Sequence, residues 1–396
     1  MLSEKEKKSP FIVAFAIMSV YVITMSAGNV SAALASISAA FPNVPMSTIA
    51  LISTLPSLLM IPASLIAGAL AGNKVKYKTI IIIGMLFYLV GGLAPVFANS
   101  MTVILIERAI FGIGFGFITP MGNALVLSVY EGNKRATMLG IGSMVMNLGA
   151  IVMQFAGGAL AEIGWQYSFY SHALGILSLI LVLIFLTEPP KVEQPAGAEK
   201  PKVRIRGGIL LTALLLGIYI ILIFPSAILI SGFLQKNNLG GPAVAGMVLS
   251  VFTLGGMGGG FVYGPLFKAI KKYVVALGLL LGAVGYALVI YSGNIVIVTI
   301  GMGIVGASFS IVLPACYMIA GMIASPQEVA LSTSVLLAAV NIFAFFSGYF
   351  ISFVGAVTGD MLAMPMVWCM IGLAVASIVF IFVNPLPKPK HATVNE

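Results

Sequence analysis

Charged residues are scarce in this chain, and their scarcity excludes most classes of soluble protein. Only 8% of the 396 residues are Asp, Glu, Lys or Arg, whereas 60% are hydrophobic. Soluble domains carry about 25% charged residues, with which they cover a surface in contact with water. The chain also has only two cysteines, Cys316 and Cys369, and both fall in apolar segments, so that no disulfide framework is predicted. We therefore expect a protein whose solvent is lipid.

Motifs of enzymes and of ATP-driven pumps are missing as well. The sequence has no glycine loop followed by Lys-Ser or Lys-Thr, no His/Glu metal pair at helical spacing, and no pair of acids within the apolar segments. We therefore expect no enzymatic activity, no cofactor and no metal site. Uphill work by such a protein should draw on an ion gradient.

Apolar segments of roughly twenty residues fill nearly the whole chain. A bilayer core about 30 Å thick needs about 20 apolar residues per helix, and lipid forces every backbone polar group into an internal hydrogen bond. The segmentation predicts an all-α membrane protein with twelve transmembrane helices, near residues 11–33, 47–70, 79–98, 102–125, 137–159, 168–187, 209–233, 244–266, 274–292, 295–319, 329–353 and 362–383.

Positive charges collect on one side of this topology. Eighteen of the twenty Lys and Arg fall on predicted cytoplasmic segments, and the exceptions are Lys236 and Arg108. This bias predicts a multi-pass protein of the inner or plasma membrane with both termini in the cytoplasm. It also accounts for the net charge of +9 without nucleic acid. As partners we expect a small-molecule solute and the lipid bilayer, and we expect a monomer.

The two halves of the chain repeat each other at an offset of 194 residues. Matching pairs include Lys74 with Lys268, Lys78 with Lys272, Gly112 with Gly306, Pro120 with Pro314 and Asn147 with Asn341. We predict two pseudo-symmetric six-helix bundles at residues 1–187 and 209–384, a cytoplasmic linker at 188–208 and a cytoplasmic tail at 385–396. Two similar bundles can rock about a shared site near the midplane and expose it to one side at a time.

Three local patterns resemble motifs of the major facilitator superfamily. Residues 68–78 match the family's glycine and basic cluster between helices 2 and 3, but Gly72 stands where an acid is expected. Arg108-Ala109-Ile110-Phe111-Gly112 matches the Arg-x-x-x-Gly pattern of helix 4. Residues 149–158 resemble the antiporter motif of drug exporters, although Met153 and Gln154 replace its Gly-Pro. The chain therefore resembles bacterial drug and metabolite exporters of that superfamily.

The resemblance implies roles in proton coupling and gating for a small set of residues. It implies that Arg108 tunes proton transfer or holds an anionic group, and its duplicate at position 302 is Met, so the scaffold itself does not demand a charge there. Glu107, the only carboxylate well inside a predicted span, either carries a proton or reaches the membrane surface. The remaining gating candidates are Gly112, Lys74 and Lys78, and the lysines could equally be topology anchors.

Polar residues within the spans form the candidate substrate cavity. Helices 1, 4, 7 and 10 line the cavity in proteins of this resemblance, and helices 5 and 11 add further polar groups; the candidates are Tyr21, Asn29, Asn123, Gln154, Tyr219, Tyr317 and Asn341. The 194-residue repeat pairs Asn147 with Asn341, which favours a structural contact between the halves over solute binding. His172 is interpreted as an interfacial residue, with proton transfer as the alternative.

The leading hypothesis is a secondary active transporter that moves a small organic solute by alternating access, through proton-coupled efflux. A mostly apolar cavity suits an amphipathic solute. One alternative is uptake or facilitated transport of an organic anion, with Arg108 as its counter-charge. Another is a membrane receptor that binds a solute without moving it; such a protein usually has an added cytoplasmic domain, for which the 21-residue linker and 12-residue tail leave no room.

Overall fold

The computed structural model describes residues 10–72, 74–189, 206–324 and 328–383, and these residues are almost entirely helical. The described α-helices are α1 Pro10–Val22, α2 Leu34–Ala40, α3 Met46–Leu70, α4 Tyr77–Leu93, α5 Met101–Val129, α6 Gly132–Ile163, α7 Leu174–Phe185, α8 Gly207–Lys236, α9 Pro242–Ile270, α10 Val274–Tyr291, α11 Ile295–Ile323, α12 Val329–Thr358 and α13 Ala363–Phe382. Short 3₁₀ segments join some of them, at Ser26–Ala33, Ala94–Phe97, Trp165–Ala173 and Lys271–Tyr273. The predicted all-α class is confirmed.

Most of these helices are long and apolar enough to cross a bilayer. Ten segments of the described residues meet that test, and the pair Phe11–Val22 and Ser26–Ala40, bent by 41°, adds an eleventh. One of the ten, Pro242–Tyr291, is 50 residues long, about twice what a single crossing needs. It contains α9 and α10. The 3₁₀ segment between them begins at Lys271, where φ is 45°. Counted as two crossings, this segment brings the total to the predicted twelve.

The predicted linker and tail lie mostly outside the described residues. The structure describes the linker only at 188–189 and 206–208, and it does not describe the tail at 385–396. The bundle boundaries therefore stay a prediction. Below, α1–α7 are called the first half and α8–α13 the second half.

Close helix packing repeats between the halves. In the first half, a Cβ at Gly112 of α5 would lie 2.8 Å from Cα of Pro56 in α3. In the second half, a Cβ at Gly306 of α11 would collide with the carbonyl of Phe252 in α9. Small residues let membrane helices approach to backbone contact. The duplicated glycines thus keep equivalent helix crossings in the two halves.

Two helix seams join the halves, and both are tight at the same end of the molecule. α6 packs on α9, and α3 packs on α12. A Cβ at Gly158 of α6 would lie 2.8 Å from Cα of Gly246 in α9, and a Cβ at Gly348 of α12 would lie 2.8 Å from Cβ of Ala50 in α3. We call this the closed end; α6 and α12 end there, and α3 and α9 begin there. The opposite end, where α6 begins, is the open end.

Candidate functional site

The first membrane span is broken in its middle, and local hydroxyl groups satisfy the backbone at the break. α1 ends at Val22, and a 3₁₀ segment begins at Ser26. Thr24 Oγ1 donates to the Tyr21 carbonyl at 2.7 Å, and Ser26 Oγ donates to the Ile23 carbonyl at 2.8 Å. Serine and threonine side chains compete with the helix for backbone carbonyls in this way. Irregular backbone at membrane depth is tolerated only where such partners exist.

Arg108 of α5 donates to the irregular backbone of two other helical segments. Its side chain is fully buried; Nε donates to the Ile52 carbonyl at 2.7 Å and Nη2 donates to the Ala27 carbonyl at 3.3 Å. Ile52 lies four residues before Pro56, which has no N–H to donate, so the helix leaves the Ile52 carbonyl open. Ala27 lies in the 3₁₀ segment of the broken span. The guanidinium therefore ties α5 to two defects in neighbouring helices.

The charge of Arg108 is not neutralised by any described acid. Its Cζ lies 4.1 Å from the ring centroid of Phe111, while Nη1 is buried without a hydrogen-bond partner. A buried cation whose donors are only partly satisfied opposes stability unless it is paired. The buried charge of Arg108 therefore lowers the stability of the fold. A role of Arg108 in proton coupling or gating stays a prediction.

Glu107 and Gly112 flank Arg108 on the same helix. Glu107 is half-buried and its Oε2 is buried without a hydrogen-bond partner. Because neighbouring helical residues point about 100° apart, Glu107 faces away from the Arg108 direction and makes no ion pair with it. Gly112 packs on Pro56, the residue that frees the acceptor of Arg108. Gly112 thus helps to bring Arg108 within reach of α3.

An aromatic cluster borders Arg108 and contains His172. The His172 ring centroid lies 4.9 Å from that of Phe111 and 5.7 Å from that of Tyr88. His172 was expected near the membrane interface, and its side chain is fully buried within the protein. Its Nδ1 lies 3.0 Å from the Phe169 carbonyl, whereas Nε2 has no hydrogen-bond partner, nor has the Tyr88 hydroxyl. The sequence hid this burial because the residue lies near a predicted span end.

Two of the cavity candidates in the first half bond to each other. Tyr21 of α1 donates from its hydroxyl to Asn123 Oδ1 of α5 at 2.6 Å. Asn29 is fully buried, and its Nδ2 donates to Sδ of Met153 in α6 at 3.1 Å. Asn29 therefore contacts the antiporter-like stretch of α6.

Two of the second-half candidates, Tyr219 and Asn341, make hydrogen bonds within their own half. The hydroxyl of Tyr219 in α8 lies 2.9 Å from that of Ser308 in α11. Asn341 of α12 donates to the Leu337 carbonyl, one turn earlier, at 2.9 Å. Tyr317 of α11 is half-buried. These residues lie on three different helices.

The duplicated asparagines do not bridge the halves. Asn147 donates to the Ser143 carbonyl at 2.8 Å, and Asn341 makes the same i−4 contact in α12. The interpretation of a direct contact between the halves was therefore wrong. What the 194-residue repeat preserves here is a bond within each helix.

Gln154 takes part in a polar seam between the halves. Its Oε1 accepts from Oγ1 of Thr253 in α9 at 3.0 Å. Next to this bond, Ser250 Oγ donates to the Ile151 carbonyl at 3.1 Å. The residue that departs from the antiporter-like motif is thus a link between α6 and α9.

Lys78 and Glu188 cap each other's helices at the open end. Lys78 Nζ donates to the Leu183 and Leu186 carbonyls at 2.8 and 3.0 Å, at the end of α7. Glu188 accepts from the backbone N–H groups of Tyr77 and Lys78 at 2.7 and 3.1 Å, at the start of α4. A cation at a helix C-terminus and an anion at an N-terminus are both favourable. Sequence reasoning missed Glu188, although it directly follows the last apolar residues of the sixth span.

Gly72 and Lys74 complete the loop between α3 and α4. Gly72 has φ of 75°, and a Cβ there would lie 2.8 Å from the Tyr77 ring. Any side chain at position 72, including the acid of the family pattern, would be strained and would collide with Tyr77. Lys74 is exposed. The departure from the family motif therefore has a steric cause.

A cavity opens between the halves toward the open end. It has a volume of about 370 Å³ and is lined by Gly140, Ser143, Met144, Asn147, Gly256, Met257, Gly260, Phe261 and Ser310. The lining residues come from α6, α9 and α11, and none of them is charged. The arrangement can accept a ligand with an apolar body and one or two hydrogen-bonding groups. None of the seven candidate cavity residues lines it; Asn147, which the 194-residue repeat singled out, does.

Relatives with similar sequences match a limited part of the chain. The quinolone resistance protein NorA of Staphylococcus aureus (strain Mu50 / ATCC 700699) is 28% identical over 125 residues, which are 31% of this chain and 32% of NorA. An uncharacterized MFS-type transporter of Mycobacterium tuberculosis is 27% identical over 128 residues, 32% of this chain and 22% of that protein. The matched region thus spans about a third or less of the length of these curated relatives.

Solved structures match the fold over nearly the whole chain. A bacterial homolog of the human lysosomal transporter Spinster, inward-facing and unoccupied, superposes with a TM-score of 0.78 at 16% identity, covering 97% of this chain and 100% of that one. A D-xylose-proton symporter superposes with a TM-score of 0.74 at 13% identity, covering 95% and 98%. The family model described as Major Facilitator Superfamily matches residues 11–235. This chain is a multi-pass membrane protein that belongs to the Major Facilitator Superfamily of transporters.

Proposed function

We propose that this transporter exports a small, uncharged amphipathic organic solute in exchange for protons. The observation that carries the proposal is the shape of the interface between the halves. Tight seams close one end, and a cavity without charged lining separates α6 from α9 toward the other. Two bundles that meet at one end only can expose a central site alternately to either side.

The direction of transport is inferred from charge and from similarity. The lysines of the described loops, at positions 74, 78, 268, 271 and 272, lie at the open end, which the positive-inside bias predicts to be cytoplasmic. The conformation is then open to the cytoplasm. Similarity to NorA, named for quinolone resistance, favours efflux.

The anion-uptake alternative receives less support from the geometry. Arg108 is fully buried, and two of its nitrogens bond to backbone carbonyls of Ile52 and Ala27. It does not line the cavity between the halves. A counter-charge for an organic anion would have to face that cavity. Efflux of an uncharged solute therefore remains the better reading.

Flux in proteoliposomes tests the proposal. Vesicles with an acidic interior should accumulate an uncharged amphipathic drug only when they contain the protein, and a protonophore should abolish the accumulation. Flux that ignores the gradient would contradict proton coupling. Absence of flux for every solute assayed would contradict transport itself.

The proposed proton carrier can be examined with one pair of variants. Glu107→Gln should lose the stimulation by the gradient while still equilibrating solute, since a permanently neutral amide cannot exchange a proton. Glu131→Gln changes an exposed carboxylate at the start of α6 and should keep full coupling. If Glu107→Gln retained coupling as well, Glu107 would not be the carrier.

A further inference from the structure

The closed end contains one carboxylate contact between the halves. Glu162 lies in the last turn of α6, and its Oε1 accepts from the backbone N–H of Ala243 at 3.0 Å, in the first turn of α9. α9 begins at Pro242, and its N-cap residue Gly241 has no side chain with which to cap the helix. The first N–H groups of a helix need such an acceptor. Glu162 supplies it from the opposite half.

Local packing makes this contact specific to the state in which α6 and α9 meet at the closed end. A Cβ at Gly241 would lie 2.5 Å from Oε1 of Glu162, so glycine leaves the room that the carboxylate occupies. The positive end of the α9 dipole further favours an anion there. Because Glu162 and Ala243 belong to different halves, their hydrogen bond cannot survive separation of α6 from α9 at this end.

We propose that Glu162 is a gating residue whose carboxylate holds the closed end shut by capping α9 across the interface between the halves. The proposal rests on the proposed transport function, since a gate has meaning only for a protein that opens alternately at both ends. It assigns to Glu162 a part of the conformational equilibrium that no family motif in this chain covers.

Among the described residues, the α3–α12 seam has no equivalent contact. At the 194-residue offset, the counterpart of Glu162 is Ala356 of α12. The α3–α12 seam contains instead the apolar approach of Gly348 to Ala50. The first helix residues of α3 follow Pro45, which makes no side-chain cap. We call the contact between Glu162 and Ala243 the latch. The latch is present at the α6–α9 seam and not at the α3–α12 seam, so the duplicated scaffold does not require it.

Neutral bonds also cross between the halves, but they differ from the Glu162 contact. Thr253 bonds Gln154, and the hydroxyl of Ser231 in α8 bonds the Ala32 carbonyl. These groups are at least partly buried, whereas Glu162 is exposed. Water can solvate the Glu162 carboxylate when the seam opens, so this bond can break and re-form at each cycle without leaving a buried orphan.

Asp360 provides a matched control. Its Oδ1 accepts from the backbone N–H groups of Leu362 and Ala363 at 2.8 and 3.1 Å, at the start of α13. This is also a carboxylate cap at the closed end, but both partners lie in the second half. Removing it should weaken the fold without changing the balance between the two conformations.

Spin labels can report the width of the closed end. Cysteines introduced at Phe97 and Tyr291, which are 78% and 67% exposed, lie at the closed end, one in each half. The native Cys316 and Cys369 are buried and should stay unlabelled. Pulsed electron paramagnetic resonance in proteoliposomes would give the distribution of distances between the labels. The background protein should show mainly the short distance.

The latch predicts different outcomes for the two carboxylates. Glu162→Ala should raise the ratio of long to short distances by about fivefold, the effect of a typical cap, and Glu162→Gln should raise it less, because an amide oxygen can still accept. Asp360→Ala should leave the ratio unchanged. An unchanged ratio in both Glu162 variants, or an equal rise in Asp360→Ala, would overturn the latch.

Flux of an amphipathic drug through the same vesicles separates the latch from the transport proposal. If the distances shift in Glu162→Ala while the unsubstituted chain moves no solute, the latch stands and the transport proposal fails. If the unsubstituted chain moves the drug and the distances do not shift, transport stands and the latch fails.

Discussion

Equivalent buried positions in the two halves hold different chemistry. In the first half, Asn29, Arg108 and His172 are fully buried; at the 194-residue offset the second half has Ile223, Met302 and Met366, which are buried just as deeply. Of the described buried side-chain atoms without a hydrogen-bond partner, all but one belong to the first half: Asn29, Tyr88, Glu107, Arg108, Ser171 and His172, against Ser352 in the second half. The scaffold is therefore stable with apolar residues at these positions. The polar groups of the first half need an explanation beyond folding.

The difference is clearest where each half supports an irregular helix. In the first half, the charged Arg108 donates to the Ala27 carbonyl in the broken first span. In the second half, Pro225 lies inside α8, and the hydroxyl of Tyr286 donates to the Leu222 carbonyl at 2.9 Å and accepts from Ser226 N–H at 3.0 Å. A neutral group with satisfied bonds makes a permanent support. A charged group with an unpaired donor can exchange hydrogen-bond partners at a lower free-energy cost, which suits a helix that moves.

The largest effect is expected from replacing Arg108 by methionine, the residue at the duplicate position 302. Arg108→Met should reduce transport roughly 10- to 100-fold, the value of lost hydrogen bonds from a charged donor. The free energy of unfolding should change by no more than about 1 kcal/mol, because removing a buried and partly unsatisfied charge offsets the loss of the donor to the Ile52 and Ala27 carbonyls. Proteoliposome flux and thermal unfolding of the same preparation measure the two quantities.

Met302→Leu is the control for this substitution. It exchanges side chains of similar volume at the buried duplicate position and should cost less than about 1.5 kcal/mol of unfolding free energy. Transport should stay near that of the unsubstituted chain. If Arg108→Met lost stability and transport together, while Met302→Leu lost neither, Arg108 would be a structural residue and the contrast between the halves would disappear.

The sequence predicted the architecture well because lipid leaves few choices. Long apolar runs must be helices, and the offset of 194 residues located equivalent helices without a structure. It also singled out Arg108, since a lone charge within a span is unusual, and the role of that residue stays a prediction. The break of the first span was not predicted, because residues 23–26 are as apolar as their neighbours except for Thr24 and Ser26.

Partners across helices could not be predicted from composition. Asn29 was expected at the cavity wall and instead contacts Met153, while His172 was expected at the interface and is buried. Which face of an all-apolar helix points inward depends on packing, and periodicity carries little information when both faces are apolar. Glu162 and Glu188 were overlooked because carboxylates at span ends are ordinary. Their capping roles follow only from which helix end lies opposite.

A smaller effect on the free energy of unfolding is expected from removing the hydroxyl groups of Tyr286 and Tyr88, one in each half. Tyr286→Phe should lower the free energy of unfolding by about 1–3 kcal/mol, because it removes the hydroxyl that bonds the buried Ser226 N–H and the Leu222 carbonyl. Tyr88 lies one turn away on the equivalent helix α4, and its hydroxyl has no partner. Tyr88→Phe should change the unfolding free energy by less than about 0.5 kcal/mol. Equal losses in the two variants would mean that both hydroxyls are equally satisfied.

At one surface position the second half, and not the first, has the charged residue. Asp360 precedes α13, and its counterpart at the offset is Gln166, so here the second half has the charge. Burial raises the pKa of Asp360, but the hydrogen bonds from Leu362 and Ala363 N–H and the contact with Lys236, 3.3 Å away, outweigh it and lower the pKa below its ordinary value. The carboxylate is thus stabilised in its charged form in the folded protein.

The smallest expected effect is the pH dependence that this pKa implies. A group whose pKa is depressed on folding contributes stability above its unfolded pKa, about 3.9 for Asp, and loses it as the pH falls through the folded value. Asp360 is partly exposed, so its contribution should be only about 0.3–1 kcal/mol. Asp360→Asn keeps a capping oxygen and should lower the unfolding midpoint slightly at pH 7 but not at about pH 3. Gln166→Leu changes the uncharged counterpart and should show no such pH dependence. A deficit of Asp360→Asn that persisted unchanged at low pH would mean that the carboxylate acts there through its shape rather than its charge.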